Sequence, residues 1–264
     1  MLLIAVVLAP VLMLLATSVE RRLSPAAGGW TTALPLGFAV TIAAIALTAG
    51  PATAGTVAAS AVSHVPAQVV FGLLFGAALA RWGLLAGGLA GTLGYLAASV
   101  ALDRLPPEAA IVLTLAALAV GRRPAPSAPD HPRASRPRKP SATVLVCLSA
   151  AVGVLGSTLA SQAWGPVIGG AAAAFPTMSG TLAVAVTAHG SRREGAEVLT
   201  GLVRNLPCFF AFAVTIALCA RHLGLWSFAM AAIAATTTAA LTWHDTKTPK
   251  PASPPARLHA RPAR

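Results

Sequence analysis

Long apolar runs alternate with short polar or basic breaks along almost the whole chain. Several runs extend for roughly 18 to 25 residues without an internal charge, enough for a helix to cross a hydrocarbon core of about 30 Å. The pattern predicts nine spans, at approximately 1–17, 30–48, 56–80, 83–102, 106–121, 142–160, 164–187, 196–220 and 224–243. The fifth is short and begins near Glu108, an acid suited to a helix N-terminus. If it lies in the interface instead, the count is eight. Alternating strands of about 10 residues, the mark of a transmembrane β-barrel, are absent. The expected fold class is therefore all-α, a polytopic integral membrane protein.

Composition agrees. The 264 residues are 56% hydrophobic and only 10% charged, against about 25% charged in an ordinary soluble domain. The net charge of +12 does not point to nucleic acid, because the basic residues concentrate in two Pro/Ala/Ser-rich segments, Arg122 to Lys139 and Lys247 to Arg264. Such segments lack the apolar content for a packed core, and they read as topology determinants. With nine spans and the N-terminus outside, 16 of the 19 Lys and Arg fall on the cytoplasmic side; only Arg104 and Arg221 fall outside, and Arg204 lies within a span. This is the positive-inside distribution. The first apolar run lacks a basic segment before it, and Arg21 and Arg22 follow it, which favours a retained first helix over a signal peptide. All five tryptophans, Trp30, Trp82, Trp164, Trp226 and Trp243, fall at predicted span ends, as in an interfacial belt. Gly83, Gly87 and Gly91, and again Gly165 and Gly169, stand at four-residue spacing, which allows close helix packing in a bilayer. Cys147, Cys208 and Cys219 have no disulfide or metal spacing.

A constant shift (176 minus 35, or 207 minus 66) aligns the two halves of the chain without a gap from about residue 34 to residue 84. Pro35 meets Pro176, Pro66 meets Pro207, and Gly83-Leu84 meets Gly224-Leu225. The expected organisation is a first four-helix unit (1–102), a connector helix (103–121), a basic disordered cytoplasmic loop (122–141), a second four-helix unit (142–243) and a basic disordered cytoplasmic tail (244–264). An odd connector inverts the second unit. Inverted repeats are common in secondary transporters, whose sites lie at the repeat interface near the midplane.

The segment LVRNLPCFF, Leu202 to Phe210, places a charge, an amide and a proline in an apolar span. A charge at the bilayer centre costs at least about 2.5–3.5 kcal/mol on insertion scales, so Arg204 needs a partner, a watery cavity or an escape to the interface. The repeat pairs Arg204-Asn205-Leu206-Pro207 with Ser63-His64-Val65-Pro66. Two polar residues then precede a proline in each half. The candidate substrate-binding residues are Arg204, Asn205, Ser63 and His64, with Glu197 as counter-ion of Arg204 at helical spacing and Thr177 beside Pro176. Pro66, Pro207, Pro35 and Pro176 are the expected hinges or helix breaks. The competing reading is that Arg204 snorkels to the cytoplasmic face. Arg204 favours a small anionic solute.

Phe175-Pro176-Thr177, Ala188-His189, Gly195 with Glu197-Val198-Leu199, and the Pro207 region resemble the GlpM-like family of small four-helix bacterial inner-membrane proteins. The resemblance covers less than a quarter of the chain. It implies a bacterial inner-membrane location and a four-span unit, and no reaction. The overall plan is similar in organisation to drug/metabolite transporters with fused inverted repeats. There is no phosphate-cradling glycine loop, HExxH or Cys/His metal spacing, and no pair of intramembrane carboxylates. The expectation is a non-enzymatic protein without cofactor or metal, partnered by the lipid bilayer and not by nucleic acid. The leading function is a small-molecule secondary transporter or exporter of the bacterial inner membrane, N-terminus outside and C-terminus cytoplasmic. The alternative is a scaffold for envelope or polysaccharide assembly. Substrate, coupling ion and oligomeric state have no signature in the chain.

Overall fold

A computed structural model describes residues 22–121 and 140–247, together with 7–8, 10–11, 14–15 and 17–19. Most of the expected first span, the 122–139 loop and the tail beyond 247 lie outside the described residues. Among the described residues there is no strand. The helices are α1 (Pro25–Thr32), α2 (Leu36–Ala49), α3 (Pro51–Ser63), α4 (Val65–Trp82), α5 (Leu84–Leu102), α6 (Pro107–Gly121), α7 (Pro140–Trp164), α8 (Pro166–Ala174), α9 (Thr177–His189), α10 (Arg192–Leu223) and α11 (Trp226–Lys247).

Among the described residues, six segments are long and apolar enough to cross a membrane: Pro25–Ala49, Val65–Trp82, Leu84–Leu102, Thr143–Trp164, Pro166–His189 and Arg192–Leu223. Glu108–Ala119 and Trp226–Thr242 are shorter apolar helices. The chain is thus a helical membrane protein with several spanning helices. Its exterior fits that solvent. On α5, Leu85, Leu89, Leu93, Leu96 and Val100 face outward, while Gly87, Gly91, Tyr95 and Ser99 are buried. In water this would be inside out. In lipid the Leu face is well solvated, and the small face lets α5 lie against Phe75 and Leu79 of α4.

Two of the spanning segments are each made of two helices. The first is interrupted at Ala33-Leu34-Pro35, between α1 and α2, and the second at Phe175-Pro176, between α8 and α9. Proline explains both: it lacks an N–H, and it drives the residue before it out of the helical region. Phe175 is accordingly extended, at φ −63° and ψ 126°. The expected span 56–80 is also divided, with His64 between α3 and α4.

Pro207 behaves otherwise. The sequence predicts a break there, but α10 runs unbroken from Arg192 to Leu223 with Pro207 inside it. The carbonyl of Val203, which loses its donor at Pro207, packs beside Gly121 of α6. Local cost is outweighed by the packing of a helix whose neighbours include α1, α3, α4, α9 and α11.

The shift that aligns the two halves recurs in the helix boundaries. Pro25 and Pro166 open short helices, Leu36 and Thr177 open the helices after the breaks, and Gly83 and Gly224 form the corners before α5 and α11. Both corner glycines have positive φ, 93° and 54°, a region closed to most other residues. The contacts recur as well. Gly29 of α1 seats on the carbonyl of Val198 in α10, and Gly170 of α8 seats on the carbonyl of Val57 in α3. The α3–α4 segment runs antiparallel to α10: Gly55 lies against Ala217 and Ala220, whereas Gly72 lies against Val203 and Leu199.

Candidate functional site at the paired helix breaks

The two proline breaks meet. Thr32 at the end of α1 and Ser179 in the first turn of α9 share a hydrogen bond at 2.8 Å. Around this junction lies a cavity of about 80 Å³. Its wall includes residues 32–35, Gly37 and Phe38 from the first break, and residues 172–179 from the second. Gln68 of α4, Ser157 of α7 and Phe209 of α10 also line it. The volume suits a few waters or a small solute, and is far below the roughly 300 Å³ at which organic-ligand pockets begin.

At each break the backbone is under-bonded, and a side chain from another helix answers it. Leu34 N–H donates to Thr31 O, and Phe175 N–H donates to Ala172 O, each a turn tighter than the α-helical bond. Trp30 O and Ala171 O thereby lose their α-helical donors, and Trp30 O keeps only a share of the Ala33 N–H, which also bonds Gly29 O. The amide of Asn205 donates to Trp30 O at 2.8 Å, and the Tyr95 hydroxyl donates to Ala171 O at 2.6 Å. Asn205 is itself held, because its Oδ1 accepts from the Thr242 hydroxyl at 3.0 Å. That hydroxyl accepts from the Trp30 indole N–H at 3.2 Å.

Two residues that the sequence singled out are thus placed in one network. Asn205 is buried, and its side chain is engaged in holding α1 rather than exposed to the cavity. Trp30 is partly buried, and its indole N–H belongs to the same internal network. Trp82, Trp164 and Trp226 are highly exposed at helix ends, as a belt requires.

The other predicted residues separate. His64 is completely buried. Its Nδ1 lies 2.7 Å from Ser60 O; a carbonyl can only accept, so Nδ1 carries the proton. Nε2 faces Asp103 Oδ1 at 3.5 Å, too long for a strong hydrogen bond and within ion-pair range. Asp103, just past the end of α5, has no signal in the sequence, because its carboxylate sits in a loop far along the chain from His64. The Ser63 hydroxyl donates to Ser60 O at 2.7 Å. Arg204 is half-buried and has no hydrogen-bond or ion-pair partner among the described residues. Glu197 pairs with Arg193 at 3.7 Å, so the expected Glu197–Arg204 pair is not formed. Arg204, Asn205, Ser63, His64 and Glu197 do not line the cavity; Thr177, Pro35 and Pro176 do.

Gln68 is the residue that sequence reading missed. It is 3% exposed, and its side-chain nitrogen has no hydrogen-bond partner among the described residues. It is the lone carboxamide in the α4 sequence, the one signal that could have drawn attention to it. The cavity wall also carries the hydroxyls of Thr32, Thr41, Ser157, Thr177 and Ser179. Phe38 and Phe209 pack ring on ring at 4.9 Å between centroids. Among the described residues no Lys, Arg, Asp or Glu lines it. Gln68 and Phe209 are equivalent under the shift that aligns the halves, as are Phe38 and Ser179. A similar frame therefore carries different chemistry on its two sides. Among the described residues no group of His, Cys, Asp and Glu could hold a metal ion.

No family model matches the chain, and neither a curated protein nor a solved structure matches it.

Proposed function

We propose that this protein is a small-molecule secondary transporter of the bacterial inner membrane, built from two inverted four-helix units within a nine-span topology and working by alternating access. The observation that carries the reading is the meeting of two proline-broken helices at a mostly apolar, uncharged cavity whose wall carries several hydroxyls. Non-helical backbone at membrane depth is tolerated where it is buried in protein or lines a cavity, and transporters place their sites at such discontinuous helices between repeats.

Inversion is supported by the antiparallel course of α3–α4 against α10. It is also supported by the matched pair of short helices, each packed on the other unit: α1 on α10, and α8 on α3. The resemblance to GlpM-like proteins favours the inner membrane. In this reading one unit rocks against the other, and the seam at Thr32 and Ser179 opens the cavity to each side in turn.

The test is a reversible lock. In a background lacking Cys147, Cys208 and Cys219, Thr32→Cys with Ser179→Cys places two thiols where hydroxyls now hydrogen-bond, within reach of a disulfide. Proteoliposomes are assayed for solute flux after oxidation and again after reduction. Loss of flux on oxidation with recovery on reduction supports the reading. Undiminished flux through the locked protein removes the seam from the mechanism, and no flux of any solute in the reduced protein leaves the scaffold role.

A further inference from the structure

Three buried side-chain atoms have no hydrogen-bond partner among the described residues: His64 Nε2, Gln68 Nε2 and Ser99 Oγ. They lie along one seam. α4 and α5 run antiparallel about the Gly83 corner, with Gly87 against Phe75 and Leu79, and Gly91 against Phe71 and Phe75. Gln68 is one turn along from His64, and Ser99 is one turn before Asp103. The contact of His64 with Asp103 therefore brings Gln68 and Ser99 to one level. Tyr95, a further turn back, is within electrostatic reach of both Ser99 and Asp103. Buried polar atoms of this kind are ordinarily met by ordered water. The seam abuts the cavity, since Tyr95 bonds Ala171 O and Gln68 belongs to the cavity wall.

The tautomer of His64 is fixed. Nδ1 lies 2.7 Å from Ser60 O and 3.2 Å from Ser63 Oγ, and the Ser63 hydroxyl spends its own proton on Ser60 O. Both neighbours accept, so Nδ1 keeps its hydrogen. Neutral His64 then turns a bare Nε2 toward a carboxylate oxygen at 3.5 Å. One proton, direct or through a water, reconciles these two acceptors. The His64 side chain is fully buried and that of Asp103 is 53% exposed, so the proton has an entry from water. We infer that His64 and Asp103 together bind one exchangeable proton, and that this proton is the coupling ion of the transporter. It arrives on an Asp103 oxygen, passes to Nε2 and leaves an imidazolium beside a carboxylate. The pair goes from one net negative charge to none, and the buried cation forms next to its counter-ion. His64 stands between α3 and α4, so the charge change falls on a joint between helices. The other titratable groups on elements packed here are placed elsewhere. Arg104 and Glu108 are exposed just past Asp103, Tyr95 is held by Ala171 O, and Cys208 of α10 by Ala235 O. Arg204 adjoins Val203, which meets Gly72 two turns along α4. α2 and α8 carry none.

As a coupling site the pair rests on the transport reading; as a proton site it does not, and the test keeps the two apart. Full-length protein in detergent, isotopically labelled at the histidine nitrogens, is followed by NMR across the pH range in which it stays folded. His64 is one of six histidines, and a version with the others replaced by Gln leaves it as the only labelled ring. If that version is not monodisperse, the His64 signals are assigned by their loss in His64→Gln. Nδ1 is expected to stay protonated throughout while Nε2 passes from bare to protonated. Asp103→Asn is expected to need about tenfold more protons for the same change, because the counter-charge is gone. An Nε2 that keeps one state across the whole range, a bare Nδ1, or an Asp103→Asn curve equal to wild type overturns the proton site. In proteoliposomes, a pH gradient is expected to drive solute flux in wild type and not in His64→Gln. Flux indifferent to the gradient in wild type overturns the coupling role. A proton site in a protein that moves no solute would refute transport and leave the site standing.

Discussion

Asn205 donates its side-chain amide to the carbonyl oxygen of Trp30 across 2.8 Å, and so satisfies the backbone of a helix that stops after eight residues. Tyr95 does the same for Ala171 at the other break. Removing one partner of a buried hydrogen bond costs about 1–3 kcal/mol. Asn205→Leu and Tyr95→Phe should each lower the unfolding free energy by about that amount. The Asn205 change should be the larger, since it also strands Thr242. Thermal or denaturant unfolding in detergent checks this; a silent Asn205→Leu would mean that α1 is held by packing alone.

The close approach of α1 to α10 depends on Gly29, and that of α8 to α3 on Gly170. A Cβ at Gly29 would fall on the backbone carbonyl of Val198, which cannot swing aside. Gly29→Ala and Gly170→Ala should therefore each destabilise by about 3 kcal/mol or more. Gly88, which faces open space in α5, should accept Ala with no loss and gain up to about 1 kcal/mol of helix propensity. Fluorescence-detected size exclusion of the three variants after a heating series separates these outcomes.

Arg204 is half-buried, unpaired among the described residues and away from the cavity. Arg204→Ala should leave flux and stability within about twofold and about 0.5 kcal/mol of wild type, whereas Thr177→Val should reduce flux at equal protein level. A collapse of flux in Arg204→Ala would restore the sequence-based site and displace the one at the breaks.

His64 is held at Nδ1 by Ser60 and presents Nε2 to Asp103. If the ring and the carboxylate form a working ion pair, Asp103→Asn and His64→Gln should lower flux to a similar degree. The double variant should then do little further harm, the mark of coupled residues. Additive losses would show two independent roles.

The inverted arrangement is checked by labelling. Single cysteines at Ala52, at the start of α3, and Arg193, at the start of α10, should react from opposite sides of intact cells, Ala52 from outside. Reaction of both from the same side would refute inversion.

That this is a helical membrane protein was legible without coordinates, because charge is too scarce to cover a soluble surface and the apolar runs have bilayer length. So were two of the points where helices stop, since a proline without an N–H breaks its own segment at Pro35 and Pro176. The offset between the halves, visible in prolines and glycines, recurs in the helix boundaries. Which polar residue answers which was not legible. Asn205 and His64 share a register, yet one is spent on Trp30 and the other faces Asp103. Pro207 matches Pro66, yet α10 continues through it. Gln68, inconspicuous in its segment, lies unsatisfied in the cavity wall. Hydrogen bonds inside a membrane protein join residues far apart in the chain, Trp30 with Asn205 or Tyr95 with Ala171, and only the packing of the helices against one another selects those pairs.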